Sequence, residues 1–268
     1  MSSDSSARSP ALLCAADPPP VEIIGGGRAP VLLTCDHASC VIPRSLDGLG
    51  LPPGAVREHI GWDIGAAMVT RRLASALDAR AVLAGYSRLV IDCNRDLQDP
   101  SSIPIASDGV AVPGNRELPP AARAARIDCC FVPYHTAIAV RLDAMLAAGA
   151  VPALLSIHSF TPVMNGIARP WQIGILWDRD PRIAEPLLEA LRAELGDAVG
   201  DNQPYSAREP AGYTQRHHAV TRGLPHVAIE LRQDLVAAEE GAAAWSARLA
   251  AALSPILARP EIRRIEHY

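Results

Sequence analysis

Aromatic residues are scarce, at 4% of 268 residues with two phenylalanines, so any core must be built mainly from aliphatic side chains. No apolar run approaches the roughly 18 residues that a membrane-crossing helix needs, and no membrane partner is expected. No block of Lys and Arg stands out, and the net charge is only −4. Composition therefore offers no electrostatic case for nucleic acid or for a basic partner. None of the six cysteines forms a C-x-x-C pair, and a chain of this length needs no disulfide staples. They read as reduced thiols of a cytoplasmic protein. The opening residues lack a basic stretch followed by a long apolar one, so they are not a secretory signal. Gly25-Gly-Gly27 lacks the Lys and Ser/Thr of a phosphate loop and reads as a flexible turn.

What is present suits one soluble α/β domain, with 49% hydrophobic and 20% charged residues. The Ser-, Pro- and Asp-rich start points to a flexible N-terminal arm over residues 1–28, with a single catalytic domain over 29–268. Short apolar runs at 29–35, 81–84, 88–93, 151–157, 171–177 and 224–231 read as strands. Helices are expected near 63–77, over 121–148 with a break by Pro133, from the Asp180-Pro181 N-cap pair to about 195, and over 242–257. A long Pro/Gly/Asp-rich loop spans roughly 99–120, a length that often carries function. Strands alternating with helices predict a largely parallel or mixed sheet covered on both faces.

Four polar clusters follow or end these apolar runs: Asp36-His37, Asp92-Cys-Asn94-Arg95, His158-Ser159 and Glu230-Leu-Arg232. In open α/β sheets ligands gather at the carboxyl ends of strands, so the four could converge on one site. Taken singly, each could merely satisfy loop backbone groups.

Val90-Ile-Asp-Cys-Asn-Arg95 resembles the Asp-x-Asn-Arg motif of zinc carboxypeptidases and aspartoacylases. Ser156-Ile-His-Ser-Phe160 resembles their strand carrying the last histidine ligand, and Ala228-Ile-Glu-Leu-Arg232 their catalytic-glutamate segment. The closer resemblance is to the N-formylglutamate amidohydrolase family. It rests on Cys35-Asp-His-Ala-Ser39, Gly61-Trp-Asp-Ile-Gly65, Tyr86 to Arg95, Pro133-Tyr-His135, and Ala211-Gly-Tyr213 leading into His217-His218. It runs from about residue 29 to 255. The resemblance implies a zinc-peptidase-like, three-layer α/β/α fold with a mixed, mostly parallel sheet. It also implies hydrolysis of an N-formyl or similar acyl amide of a small anionic amino acid.

A catalytic zinc needs three protein ligands and an open position, and one Zn²⁺ per chain is expected. His37 and His158 are the nitrogen donors. Carboxypeptidases place a Glu three residues after the first His, where this chain has Cys40. Asp63 is the favoured third ligand, although it would also serve as a plain helix N-cap. Cys40 is its rival, since thiolate binds zinc well. Asp36 could instead orient a ligand from behind.

Glu230 is the candidate general base, with an ion pair to Arg232 or another arginine as the bland alternative. Arg88 and Arg95 would stabilise the oxyanion and grip the substrate carboxylate, with Asn94 supporting one of them, and a structural salt bridge is the bland alternative for either. Arg232 could do the same or only position Glu230. The resemblance adds His135 as a site residue. Tyr213, His217 and His218 follow Pro210-Ala-Gly, a good place for a substrate-facing flap, with either histidine free to point inward. Two other readings stand beside this one: an aspartoacylase-like deacylase of N-acetyl amino acids, and an inactive binding module on the same fold.

Overall fold

Apolar runs without alternation become strands covered on both faces, and here Val31–Cys35 and Ala153–Phe160 bury every residue. A computed structural model describes residues 12–164, 166–208 and 212–268. Its central sheet contains β1 (Val21–Ile24), β2 (Val31–Cys35), β3 (Arg80–Ala84), β4 (Ala153–Phe160), β5 (Ile173–Leu176), β6 (Val199–Asp201) and β7 (His226–Arg232). The order across the sheet is β1-β3-β2-β4-β7-β5-β6. The run β3-β2-β4-β7 is parallel; β1 joins β3, and β5 joins β7, antiparallel, with β6 parallel to β5. The sheet is mixed and mostly parallel, as expected.

Alternate side chains of each strand serve different layers. Val31, Leu33 and Cys35 of β2 pack with residues of α1 (Ala66–Ala76), α4 (Pro181–Leu195) and α6 (Glu239–Leu257). Leu32, Val82 and Leu154 face the other way, onto Tyr134, Ile138 and Leu142 of α3 (Val132–Ala147). That second layer is incomplete. α3 packs chiefly on β1, β3 and β2, while the short α5 (Tyr213–His218) lies against β4 and β7. The floor left open over β4, β7 and β5 becomes the cleft.

Local chemistry places the helices. Asp180 caps α4 by accepting from Arg182 N, with Pro181 in the first turn. The expected break near Pro133 is a π-type turn, Ile127–Phe131, between α2 (Pro120–Arg126) and α3.

Two expectations change. The run 88–93 is not a strand but a series of turns. Leu89, Val90 and Ile91 bury themselves in a separate apolar cluster with Phe131, Ile103 and Val112. Their backbone is satisfied by side chains rather than by a neighbouring strand: Asn115 Nδ2 donates to Leu89 O and Arg126 Nη1 to Val90 O. The supposed arm also divides. Residues 1–11 lie outside the described residues, but Leu12 is buried and β1 is hydrogen-bonded along β3. Asp17, accepting from Arg44 N, ties the segment between them to the body.

Candidate active site

Five chain segments meet at the carboxyl ends of β2, β4 and β7. His37 follows β2 directly, while His158 and Glu230 lie near the ends of β4 and β7, where they are register partners. Asp63 sits in the turn before α1, its N–H donating to His37 O at 2.9 Å. Gly65 makes that turn possible. Its φ is +83°, and a Cβ there would meet Val236 O at 2.3 Å. Arg88 and Asp92 come from the side-chain-stapled turns of 88–93.

The contacts have a clear order. Asp63 Oδ2 lies 2.9 Å from His158 Nδ1 and 3.3 Å from His37 Nδ1. Each imidazole has its other nitrogen against a second carboxylate: His37 Nε2 is 2.7 Å from Asp92 Oδ1, and His158 Nε2 is 3.1 Å from Asp36 Oδ2. Asp36 is itself held by Tyr134 OH at 2.8 Å and Thr214 Oγ1 at 2.5 Å. Arg88 spans the front, donating to Asp92 through Nε and Nη2 and to Asp63 Oδ1 through Nη1 at 3.3 Å. In the tautomers whose Nε2 protons face Asp92 and Asp36, both Nδ1 lone pairs face the Asp63 oxygen. Three lone-pair donors aimed at one another require a cation or protons between them. Imidazoles backed by carboxylates are also how proteins present nitrogen to a metal. His37, Asp63 and His158, all buried with donor atoms within 4.8 Å of one another, therefore form a group that fits a metal ion.

The titration directions report the same concentration of charge. Burial and Arg88 oppose a proton on His37, yet Asp92 and Asp63 raise its pKa. Burial likewise opposes protonation of His158, but its bonds to Asp36 and Asp63 raise it well above the usual value. Burial pushes Asp36 up, while His158 and His37 bring it down to about 2. Glu230 differs: burial dominates and lifts its pKa to about 7. Its Oε2 is buried with no hydrogen-bond partner among the described residues.

The cleft above these groups has a volume of about 850 Å³. Arg88, Asn94 and Arg95 line it, joined by Arg208 and Arg216. The chain contains no lysine, so every fixed cation here is a guanidinium, suited to carboxylates. Tyr205 lines the cleft and accepts a hydrogen bond from Arg169 at 3.0 Å. The carbonyl of Gln203 presses against β5 beside Glu230, where a Cβ on Gly174 would lie 1.9 Å from it. Only glycine admits that approach.

Of the residues singled out from sequence, His37, Asp63, His158, Glu230, Arg88, Asn94 and Arg95 share this cleft. Cys40 is half-buried and not among its walls. Arg232 is also outside, its Nε bonded to Asp234 at 2.8 Å, and so is not the partner of Glu230. His135, Tyr213, His217 and His218 do not line the cleft either. They stack behind it, with His135 Nδ1 2.9 Å from His218 Nε2 and Tyr213 OH 3.1 Å from His217 Nδ1. Pro210 and Ala211 of the expected flap lie outside the described residues; Gly212, Gln215 and Arg216 are the neighbours that reach the cleft. Asp92 was visible in its motif, but nothing in the sequence marked it as the carboxylate behind His37. Asp36 orients His158 rather than its neighbour, because side chains of consecutive residues leave a strand end on opposite sides.

Residues 29–237 match the family model of N-formylglutamate amidohydrolase. A crystallised gene product of Agrobacterium tumefaciens is 36% identical, with 92% of this chain and 98% of that chain covered at a TM-score of 0.88. The N-formylglutamate amidohydrolase of Ralstonia eutropha is 20% identical and shares the fold, with 89% of this chain and 97% of that chain covered at a TM-score of 0.65. No curated protein matches the chain significantly. Among the described residues, no helix is long and apolar enough to cross a membrane.

Proposed function

The chain belongs to the N-formylglutamate amidohydrolase family, and from that premise we propose that it is a zinc-dependent hydrolase releasing an N-formyl or similar N-acyl group from an amino acid such as glutamate. The observation that carries this reading is the convergence of His37, Asp63 and His158, with Glu230 the cross-strand partner of His158.

In this reading His37, Asp63 and His158 hold one zinc ion per chain. Bound zinc would polarise the scissile carbonyl and acidify the attacking water. Asp92 and Asp36 keep the two imidazoles in the tautomer that presents Nδ1. Glu230, with a pKa near 7 and a buried Oε2 that has no hydrogen-bond partner among the described residues, takes a proton from the water and delivers it to the departing amine nitrogen. Water oxygen joins the carbonyl carbon, the C–N bond breaks, and a carboxylic acid and a free amino acid leave. Arg88, fixed by two carboxylates, stabilises the oxygen on which negative charge develops. Arg95 and Asn94 receive the substrate carboxylate. The reading includes a cytoplasmic location, in keeping with six unpaired cysteines.

Elemental mass spectrometry of freshly purified protein, with an assay on N-formyl-L-glutamate, tests the proposal. About one zinc per chain with release of formate is the expected result. Protein that takes up no zinc when supplied with it, and releases no formate, would point instead to a binding module.

A further inference from the structure

Contacts run outward from the two imidazoles and meet again in α5. Behind His158, Asp36 Oδ2 lies 3.1 Å from Nε2, while Asp36 Oδ1 accepts from Tyr134 OH at 2.8 Å and Thr214 Oγ1 at 2.5 Å. Behind His37, Asp92 Oδ1 lies 2.7 Å from Nε2 and accepts from Asn94 N at 2.8 Å. Asn94 in turn holds α5. Its Oδ1 accepts from Thr214 N at 3.0 Å, and its carbonyl accepts from Tyr213 N at 3.1 Å. Thr214 is therefore tied on one side to the carboxylate behind His158 and on the other, through Asn94, to the carboxylate behind His37. Asp63, in contact with both Nδ1 atoms, closes the ring.

The local sequence explains why α5 takes these outside partners. Its six residues are too few for a helix to be stable by its own hydrogen bonds. Gly212 precedes it and has no side chain to cap the first N–H groups, so Asn94, 120 residues from Thr214, does so. Thr214 and Asp36 are both buried. Two O–H donors on Oδ1 leave Oδ2 as the oxygen facing His158, and a carboxylate so placed sets the orientation and basicity of the imidazole before it. The same helix and its flank supply cleft wall, with Gly212, Gln215 and Arg216 all lining it. The seat of Thr214 thus fixes two things at once, the tilt of Asp36 and the position of that wall.

We propose that Thr214 is a positioning residue that couples the cleft wall on α5 to the metal-binding group, its hydroxyl holding Asp36 and through it His158. This rests on the zinc reading above and leaves the hydrolysis itself unchanged. Coupling between two sites is reciprocal. Thr214 strengthens zinc binding, and bound zinc steadies α5.

The test measures zinc affinity, by competition with a chelator, for the full chain and its Thr214→Val and Thr214→Ser variants. Valine keeps the shape of threonine and removes the hydroxyl, while Tyr134 still serves Asp36. Thr214→Val should weaken zinc binding about tenfold or more, and Thr214→Ser should bring it back to near the wild-type value. A hydroxyl with a merely structural role would instead lower the denaturant midpoint of the zinc-free protein and leave zinc affinity alone. Amide hydrogen exchange of the unmodified chain, with and without zinc, reads the reciprocal effect and needs no variant to fold. Zinc should slow exchange across residues 213–218. Unchanged zinc affinity in Thr214→Val, no rescue by serine, or exchange in α5 indifferent to bound zinc overturns the inference and leaves the amidohydrolase reading intact. An unmodified chain that takes up no zinc overturns both.

Discussion

Two pairs of buried histidines lie within one layer of each other and meet opposite fates. His37 and His158 are pushed toward the protonated form, whereas burial brings His135 down to about 4 and His218 to about 3. Burial does not distinguish them, since all four are at most 7% exposed. The surrounding acceptors do. The first pair touches Asp36, Asp63 and Asp92; the second touches a backbone carbonyl, aromatic rings and another histidine. Desolvation alone makes an imidazole neutral, and carboxylates in contact reverse the sign. The fold thus builds a group that fits a cation and a neutral brace from the same residue type.

The largest expected break in this contrast is at Glu230, a carboxylate next to the first pair whose Oε2 has no hydrogen-bond partner among the described residues. Glu230→Ala should lower kcat by about 10²–10⁴-fold while zinc content stays near the wild-type level. Near-normal turnover in the variant would remove Glu230 from the mechanism. A smaller effect is expected from Asp92→Asn, which leaves the His37 side chain in place but takes the charge from behind it. Zinc affinity, measured by competition with a chelator, should fall by about 10–100-fold. Unchanged affinity would mean that Asp92 serves only Arg88 and the turn.

The sequence made much of this legible, for physical reasons that can be located. Uninterrupted apolar runs marked β2, β4 and β7, and the polar residues ending them marked the site. Asp180-Pro181 fixed the start of α4 because capping is local chemistry. The run 88–93 misled because its periodicity is that of a buried strand, while the donors that complete its backbone, on Asn115 and Arg126, are far away in sequence. The carboxylate behind His37 was hidden for a similar reason, since Asp92 is 55 residues distant. The motif around His217-His218 suggested a substrate-facing flap and left open which ring points inward. His218 is buried and His217 exposed, and the inward ring meets His135 rather than the cleft.

The neutral brace gives the smallest effect and the clearest sign. His135 Nε2 donates to Cys93 O, so its Nδ1 accepts from His218 Nε2–H, and His218 Nδ1 is left buried with no partner among the described residues. His217 and Arg222 add positive potential around His218, and Asp36 counters it only in part. Both pKa values are depressed below the unfolded value of about 6.5. As pH falls through that value the unfolded chain takes up two protons that the folded chain refuses, so stability declines from about pH 6.5 toward 4. His218→Gln keeps an amide N–H for His135 and removes one of the two titrations. Between pH 4 and 6 the slope of unfolding free energy against pH should drop by one proton, about 1.4 kcal/mol per pH unit. Denaturant melts across that interval measure the slope. An unchanged slope would mean that His218 is protonated in the folded chain, and the two histidine pairs would then differ less than their surroundings imply.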